Sequence, residues 1–220
     1  MDFVSWKERE IHREKFFIAD GIINRSLWDK APVKVLFLMK EAYESSSNVM
    51  EEWALNDYLA GKKLNELGKT MWWSMAQWVD GVNKLVETGE VNSFDKDYKS
   101  NPKMEEAFHS CAIINIKKSS GKSSSSSDDL STYVDSDWDL LMEQIQRINP
   151  DLIICGATYP LIESKLVKSE PIAEWLYYKN GYHFVDFWHP SNQWPYKVKY
   201  YSLMSALKQS KEQWIPKKLV

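Results

Sequence analysis

The chain has 220 residues and a mass of 25.8 kDa, enough to bury a full core in one domain without metal or disulfide staples. Hydrophobic residues make up 44% and charged residues 27%, and no apolar run reaches the roughly eighteen residues of a membrane span, which excludes a disordered chain and a helical membrane protein. The 28 basic and 31 acidic residues leave a net charge of −3 and a pI near 5.9, so no global basic field marks a nucleic-acid binder.

The N-terminus, MDFVSWKEREIHREKFF, is charged throughout rather than a basic head followed by an apolar stretch, so it does not read as a secretory signal and a cytoplasmic location is expected. Mixed charge and apolar spacing over residues 3–30 predict an amphipathic helix or two, broken at Gly21. Val33–Met39 (VKVLFLM), preceded by Pro32, is short and almost continuously apolar, as in a strand buried on both faces. It opens into the polar run KEAYESSS. Residues 49–88, rich in Trp and Met, predict helices, and residues 89–103 a loop. After a short helix, Cys111–Ile116 (CAIINI) predicts a second strand, opening into KKSSGKSSSSSDD. A helix over Ser136–Ile148, capped by Asp135 or Ser136, ends at Asn149-Pro150. Asp151–Cys155 is a third strand closed by Gly156, residues 159–168 a helix, and Tyr182–Phe187 a fourth strand opening into WHPSNQWP. Tyr200–Gln213 predicts the closing helix.

Four apolar strands alternating with helices predict one α/β domain spanning residues 1–220. Its core covers residues 33–213 in a three-layer αβα sandwich around a central, mostly parallel four-stranded sheet, with N-terminal helices over residues 1–30. Cys111 and Cys155 lie inside apolar runs and are expected as buried thiols, which excludes a disulfide framework, a Cys-based zinc site and an iron–sulfur cluster. From Gln193 to Val220 six lysines (197, 199, 208, 211, 217 and 218) face one acid, Glu212. This stretch marks either a phosphate-facing surface or a solvated helix.

Ligands of such folds collect at the carboxyl ends of the strands, which gathers residues 40–47, 115–129 and 189–194 into one pocket. Within them, Gly121-Lys122-Ser123 imitates a phosphate-binding loop, but the glycine required five residues earlier is Ile116. The four histidines (12, 109, 183 and 189) lack zinc-hydrolase spacing, so no metal and no cofactor are expected. A nuclease built on Asp151, Glu163 and Lys165 is disfavoured because the last two fall on a helix after the strand. A carboxylate after strand one (Glu41), an amide at the end of strand two (Asn115) and an imidazole after strand four (His189) remain. A carboxylate stabilises an oxocarbenium-like sugar or aims water, an amide reads a base edge, and a neutral imidazole donates to a departing base anion. Together they point to N-glycosidic cleavage.

VLFLMKEAY, AIINIKKSSG and FWHPS resemble, in order and spacing, the three signature segments of the uracil-DNA glycosylase superfamily, over residues 33 to 195. The resemblance implies that Glu41 positions water, that Tyr43 closes the pocket beside C5 of a flipped pyrimidine, and that Asn115 reads the base edge. It further implies that His189 bonds the base O2, that Ser191 meets a phosphate, and that Gln193 or Trp194 fills the gap left in the duplex. Trp72 and Trp73 are candidates for base stacking or for the core. Ser119 and Lys122 in the serine-rich loop and Lys197 near the C-terminus are further candidate DNA contacts.

Three positions depart from the family pattern: Met39 stands for glycine, Ala42 for proline, and Glu41 is one methylene longer than the commoner Asp. The polar loop after Asn115 and Ser45–Ser47 suit a bulky C5 substituent, as on glucosylated hydroxymethylcytosine of phage DNA. Uracil repair and a non-cleaving DNA-binding or protein-binding module of the same fold are the alternatives. An Asn amide faces either way, donating to uracil O4 or accepting from cytosine N4, so Asn115 alone does not separate the two. Lys117 and Lys118, in a polar run, are poor candidates for an unprotonated amine nucleophile.

Overall fold

A computed structural model describes residues 3–43, 53–121 and 125–215. The N-terminal segment holds the short helix α1 (Val4–Lys7), a 3₁₀ turn (Glu10–His12), two-residue strands β1 (Ile18–Ala19) and β2 (Gly21–Ile22), and helix α2 (Arg25–Lys30). Strand β3 (Val35–Tyr43) leads to β4 (Trp53–Ala54) and helices α3 (Leu55–Ala60), α4 (Thr70–Thr88) and α5 (Lys103–His109). Strand β5 (Ala112–Gly121), helix α6 (Ser127–Ile148), strand β6 (Leu152–Gly156) and helix α7 (Tyr159–Ile162) follow. The hairpin β7 (Leu176–Lys179) and β8 (Tyr182–Phe187) precedes helices α8 (Tyr196–Gln209) and α9 (Lys211–Trp214).

The main sheet has six strands in the order β2-β5-β3-β6-β8-β7. Its inner four, β5, β3, β6 and β8, are mutually parallel, and β2 and β7 pair antiparallel at the two edges. The inner four are the four strands expected from apolar runs, so the correction is at the rims: the sheet is mixed and six-stranded. The N-terminal expectation is also corrected, because residues 18–22 form strands where a helix was expected. There Asp20 anchors to β5 through its carboxylate, and a helix would withdraw it.

Alternation along the strands sorts two cores. Phe37, Met39, Ile113, Ile154 and Val185 face α3, α4, α5 and α8, while Leu38, Ile114, Ile116, Cys155 and Phe184 face α6 and α7. Helices therefore cover both sheet faces, as a parallel sheet requires. The chain passes from β3 to β5 on one side and then crosses to β6 on the other. In open sheets of this kind such a reversal is where a ligand crevice is expected, beyond the carboxyl ends of the two strands, here β3 and β6. No helix among the described residues is long and apolar enough to cross a membrane.

Candidate functional site

Register across the parallel strands sets the floor of this crevice. Asn115 pairs with Met39, and Gly156 with Phe187, one step beyond Leu38 and Cys155. The floor is tight: a Cβ on Gly156 would lie 2.6 Å from Met39 Sδ and 3.4 Å from Pro190 Cδ, so glycine is what lets Met39 and Pro190 approach. Thr158 donates to the Leu38 carbonyl at 2.8 Å, binding the loop after β6 to β3. Glu41 and His189 each lie two residues beyond this floor, Glu41 on β3 and His189 after β8.

Glu41 is not a loop charge. Its side chain is 5% exposed and pairs with Lys117 Nζ at 3.1 Å, and Lys117 also donates to Asp129 Oδ2 at 2.7 Å. Burial opposes the Lys117 charge, but hydrogen bonds to Asp129 and Glu41 prevail and hold its pKa above the ordinary value. Gly121 leaves the room: a Cβ there would overlap the Glu41 carboxylate, with Oε2 at 2.5 Å.

His189 is set by its own loop. Nδ1 lies 2.7 Å from Ser191 Oγ and accepts the Ser191 backbone N–H at 3.2 Å. A nitrogen that accepts a backbone N–H carries no proton, so the neutral ring carries its proton on Nε2. Burial, with the nearby positive charges of Lys40 and Lys199, lowers the His189 pKa to about 4.

Asn115 is buried, and its Nδ2 donates to Asp20 Oδ2 at 3.2 Å while its backbone N–H donates to the same oxygen at 2.8 Å. A carboxylate only accepts, so Asp20 turns the NH2 end of the amide toward itself and Oδ1 away. This removes the ambiguity of the amide that the sequence leaves open.

Other candidates are placed differently. Ser119 is fully buried with Oγ 2.7 Å from His12 Nδ1, so it is a core residue and not a DNA contact. Trp72 packs edge-on against Phe108 in the core, and Trp73 lies edge-on to Tyr98. Both pack on the sheet face that carries Met39 and Phe187; the core role holds for Trp72, and Trp73 lines a pocket with Tyr98 and Tyr196. Ser191 uses its hydroxyl on His189. Gln193, Trp194 and Lys197 are exposed, and Trp194 stacks on Trp188 with ring centroids 5.9 Å apart. Tyr43 ends β3, but its side chain, Lys122 and Ser45–Ser47 lie outside the described residues.

Lys199, Asp20 and the pairing of Lys117 with Glu41 were not foreseen. Lys199 had a readable signal: it sits four and eight residues before Leu203 and Leu207 on one helical stripe. Of the other C-terminal lysines, Lys208 pairs with Glu90. No group of His, Cys, Asp or Glu among the described residues is arranged to hold a metal ion. No protein-family model matches this chain, and no curated protein matches it.

Proposed function

We propose that this protein is a DNA glycosylase that takes a modified pyrimidine out of the helix and hydrolyses its N-glycosidic bond, leaving an abasic site. The observation that carries this reading is His189: a neutral imidazole whose Nδ1 is occupied by Ser191 and whose Nε2–H is the remaining donor. A leaving base accumulates negative charge on its O2, and a fixed neutral donor stabilises that charge as the bond lengthens. Glu41, two residues past the floor on the neighbouring side of the crevice, would face the cationic sugar and aim water at C1′. Asn115 would read the Watson–Crick edge. Extruding the nucleotide costs a few kcal/mol, least for an already weakened pair. Lys117 is charged and held by two carboxylates, so a monofunctional hydrolysis without a Schiff base fits this chain. The substrate class we favour is cytosine bulky at C5, as in glucosylated phage DNA, which makes antiviral defence the corresponding role.

The test is incubation of the purified protein with uracil-containing DNA and with genomic DNA of phages carrying different cytosine modifications, with released bases identified by mass spectrometry. Release from the glucosylated DNA, reduced about 10²–10³-fold in His189→Ala, is the expected result. Because His189 is neutral above about 4, its protonation should abolish the rate only near that pH and leave it intact through the neutral range. Wild type and Glu41→Ala equally inert on every DNA would overturn the proposal. That outcome would favour the second reading, a non-cleaving nucleic-acid module, whose support is that Lys117 already occupies one oxygen of Glu41.

A further inference from the structure

Beneath the His189 loop lies a lysine that the reaction does not call for. Lys199, on the first turn of α8, is fully buried. Its Nζ donates to the Pro190 carbonyl at 2.7 Å and to the Asn192 carbonyl at 2.9 Å, and stands 4.7 Å from the centre of the Tyr196 ring. No carboxylate among the described residues pairs with it. An ammonium without a counter-ion is an expensive group to bury, and an apolar residue would suit the Leu203 and Leu207 stripe better. Its two carbonyl acceptors flank Ser191, the residue that fixes Nδ1 of His189.

We propose that Lys199 is a positioning residue that draws the Pro190 and Asn192 carbonyls together from below and thereby keeps Ser191 on Nδ1, holding His189 as the Nε2–H tautomer. The loop is tied at a second point, where Asn192 N–H donates to the His189 carbonyl at 2.8 Å. Lys199 adds the clamp that a turn alone lacks, and its charge acts in the same sense. The charges bearing on His189 are Lys40 from β3 and Lys199 from α8, both positive, and both disfavour the imidazolium. Burial lowers the pKa of Lys199 itself, and the two carbonyl dipoles favour its protonated form. The role of the Nε2–H as donor to the departing base rests on the proposed glycosylase activity, whereas the tautomer is a property of the protein alone.

Nitrogen-15 NMR of histidine- and lysine-labelled full-length protein tests the clamp without DNA. In wild type, the Lys199 ammonium should give a resonance protected from exchange at neutral pH, and His189 should show an unprotonated Nδ1. Lys199→Met should mix the two His189 tautomers and raise its titration midpoint, while Lys199→Arg should restore the wild-type tautomer. On DNA, Lys199→Met should lower kcat and move the acid limb upward with unchanged DNA affinity, whereas loss of a phosphate contact would weaken affinity first. A wild-type tautomer and midpoint in Lys199→Met overturns the clamp. If that variant does not fold, a rapidly exchanging Lys199 ammonium in the wild-type protein does the same. An intact clamp in a protein that releases no base from any DNA overturns the glycosylase and leaves the role of Lys199 standing.

Discussion

Gly121 is where one missing side chain decides where a carboxylate sits. A Cβ at this position would meet Glu41 Cγ and Oε2 at 2.5 Å, yet what it meets is the end of a flexible side chain, which can swing aside. Gly121→Ala should therefore lower the unfolding transition by only a few degrees, because one kcal/mol moves a chain of this size by no more than that. It should also displace the carboxylate from its place beside Lys117. A misplacement of about 1 Å in a reacting group costs roughly 100-fold in rate, so base release should fall by that order while the protein stays folded. Thermal unfolding and single-turnover cleavage, measured side by side, check this. A stable variant with full activity would mean that Glu41 is a structural partner of Lys117 and nothing more. Asn115 and His189 are governed in the same way by neighbours: Asp20 turns the amide and Ser191 selects the ring proton.

At the scale of elements, α4 and α8 pack on the sheet face that carries Met39, and Gly81 in the middle of α4 lets them approach. A Cβ on Gly81 would lie 2.7 Å from Met204 Sδ and 2.8 Å from Tyr200 Cε2. Both neighbours are buried, and Tyr200 is also held by a bond from its hydroxyl to the Asn92 carbonyl at 3.2 Å. Alanine gains about 1 kcal/mol of helix propensity over glycine, but overpacking a filled core costs 1–3 kcal/mol. Gly81→Ala should therefore cost a net of up to about 2 kcal/mol and lower the midpoint of thermal unfolding by up to about 8 °C, and a raised midpoint would mean that α8 can lift away from the sheet. The inner strands of that sheet were legible because burial on both faces writes itself as an apolar run, as in LIICG and VLFLM. The outer halves of β3 and β5 were not, since KEAY and KKSSG are polar. Glu41, Lys117, Lys118 and Ser119 in these halves are satisfied by pairing with one another and with the N-terminal segment, through Lys117 with Glu41, Lys118 with Asp20 and Ser119 with His12. Such partners are distant in sequence and leave no period. For the same reason Lys199 reads as surface charge in the sequence, whereas Glu41 and His189 become candidates by following apolar runs.

On the scale of the whole molecule, the N-terminal segment is fastened to the α/β core by buried polar groups as well as by the buried apolar side chains of Trp6, Phe17, Ile18 and Trp28. His12 bridges Ser119 on β5 and Asp137 on α6 at 2.7 Å each, and Arg9 pairs with Asp139 at 2.6 Å. Further along, Asp20 takes Lys118 Nζ at 2.5 Å and Gln144 Nε2 at 3.0 Å on one oxygen, and both nitrogens of Asn115 on the other. Lys118 is fully buried, and burial lowers its pKa, so its charge depends on Asp20. Removing one partner of such a pair strands the other and costs about 3–5 kcal/mol, whereas replacing both is often close to neutral. Asp20→Asn and Lys118→Met should each lose stability of that order in urea unfolding, and the double variant should lose no more than either single one. Additive losses would mean that the two residues stabilise the fold separately. The same variants link the segment to the site, because Asp20→Asn gives Asn115 an amide that can donate as well as accept and so frees it to flip. If Asn115 reads the base, that variant should relax discrimination between uracil and cytosine bases even where its residual fold is intact. Lys118→Met keeps the Asp20 carboxylate and should leave discrimination unchanged, which base-release assays on paired substrates would separate.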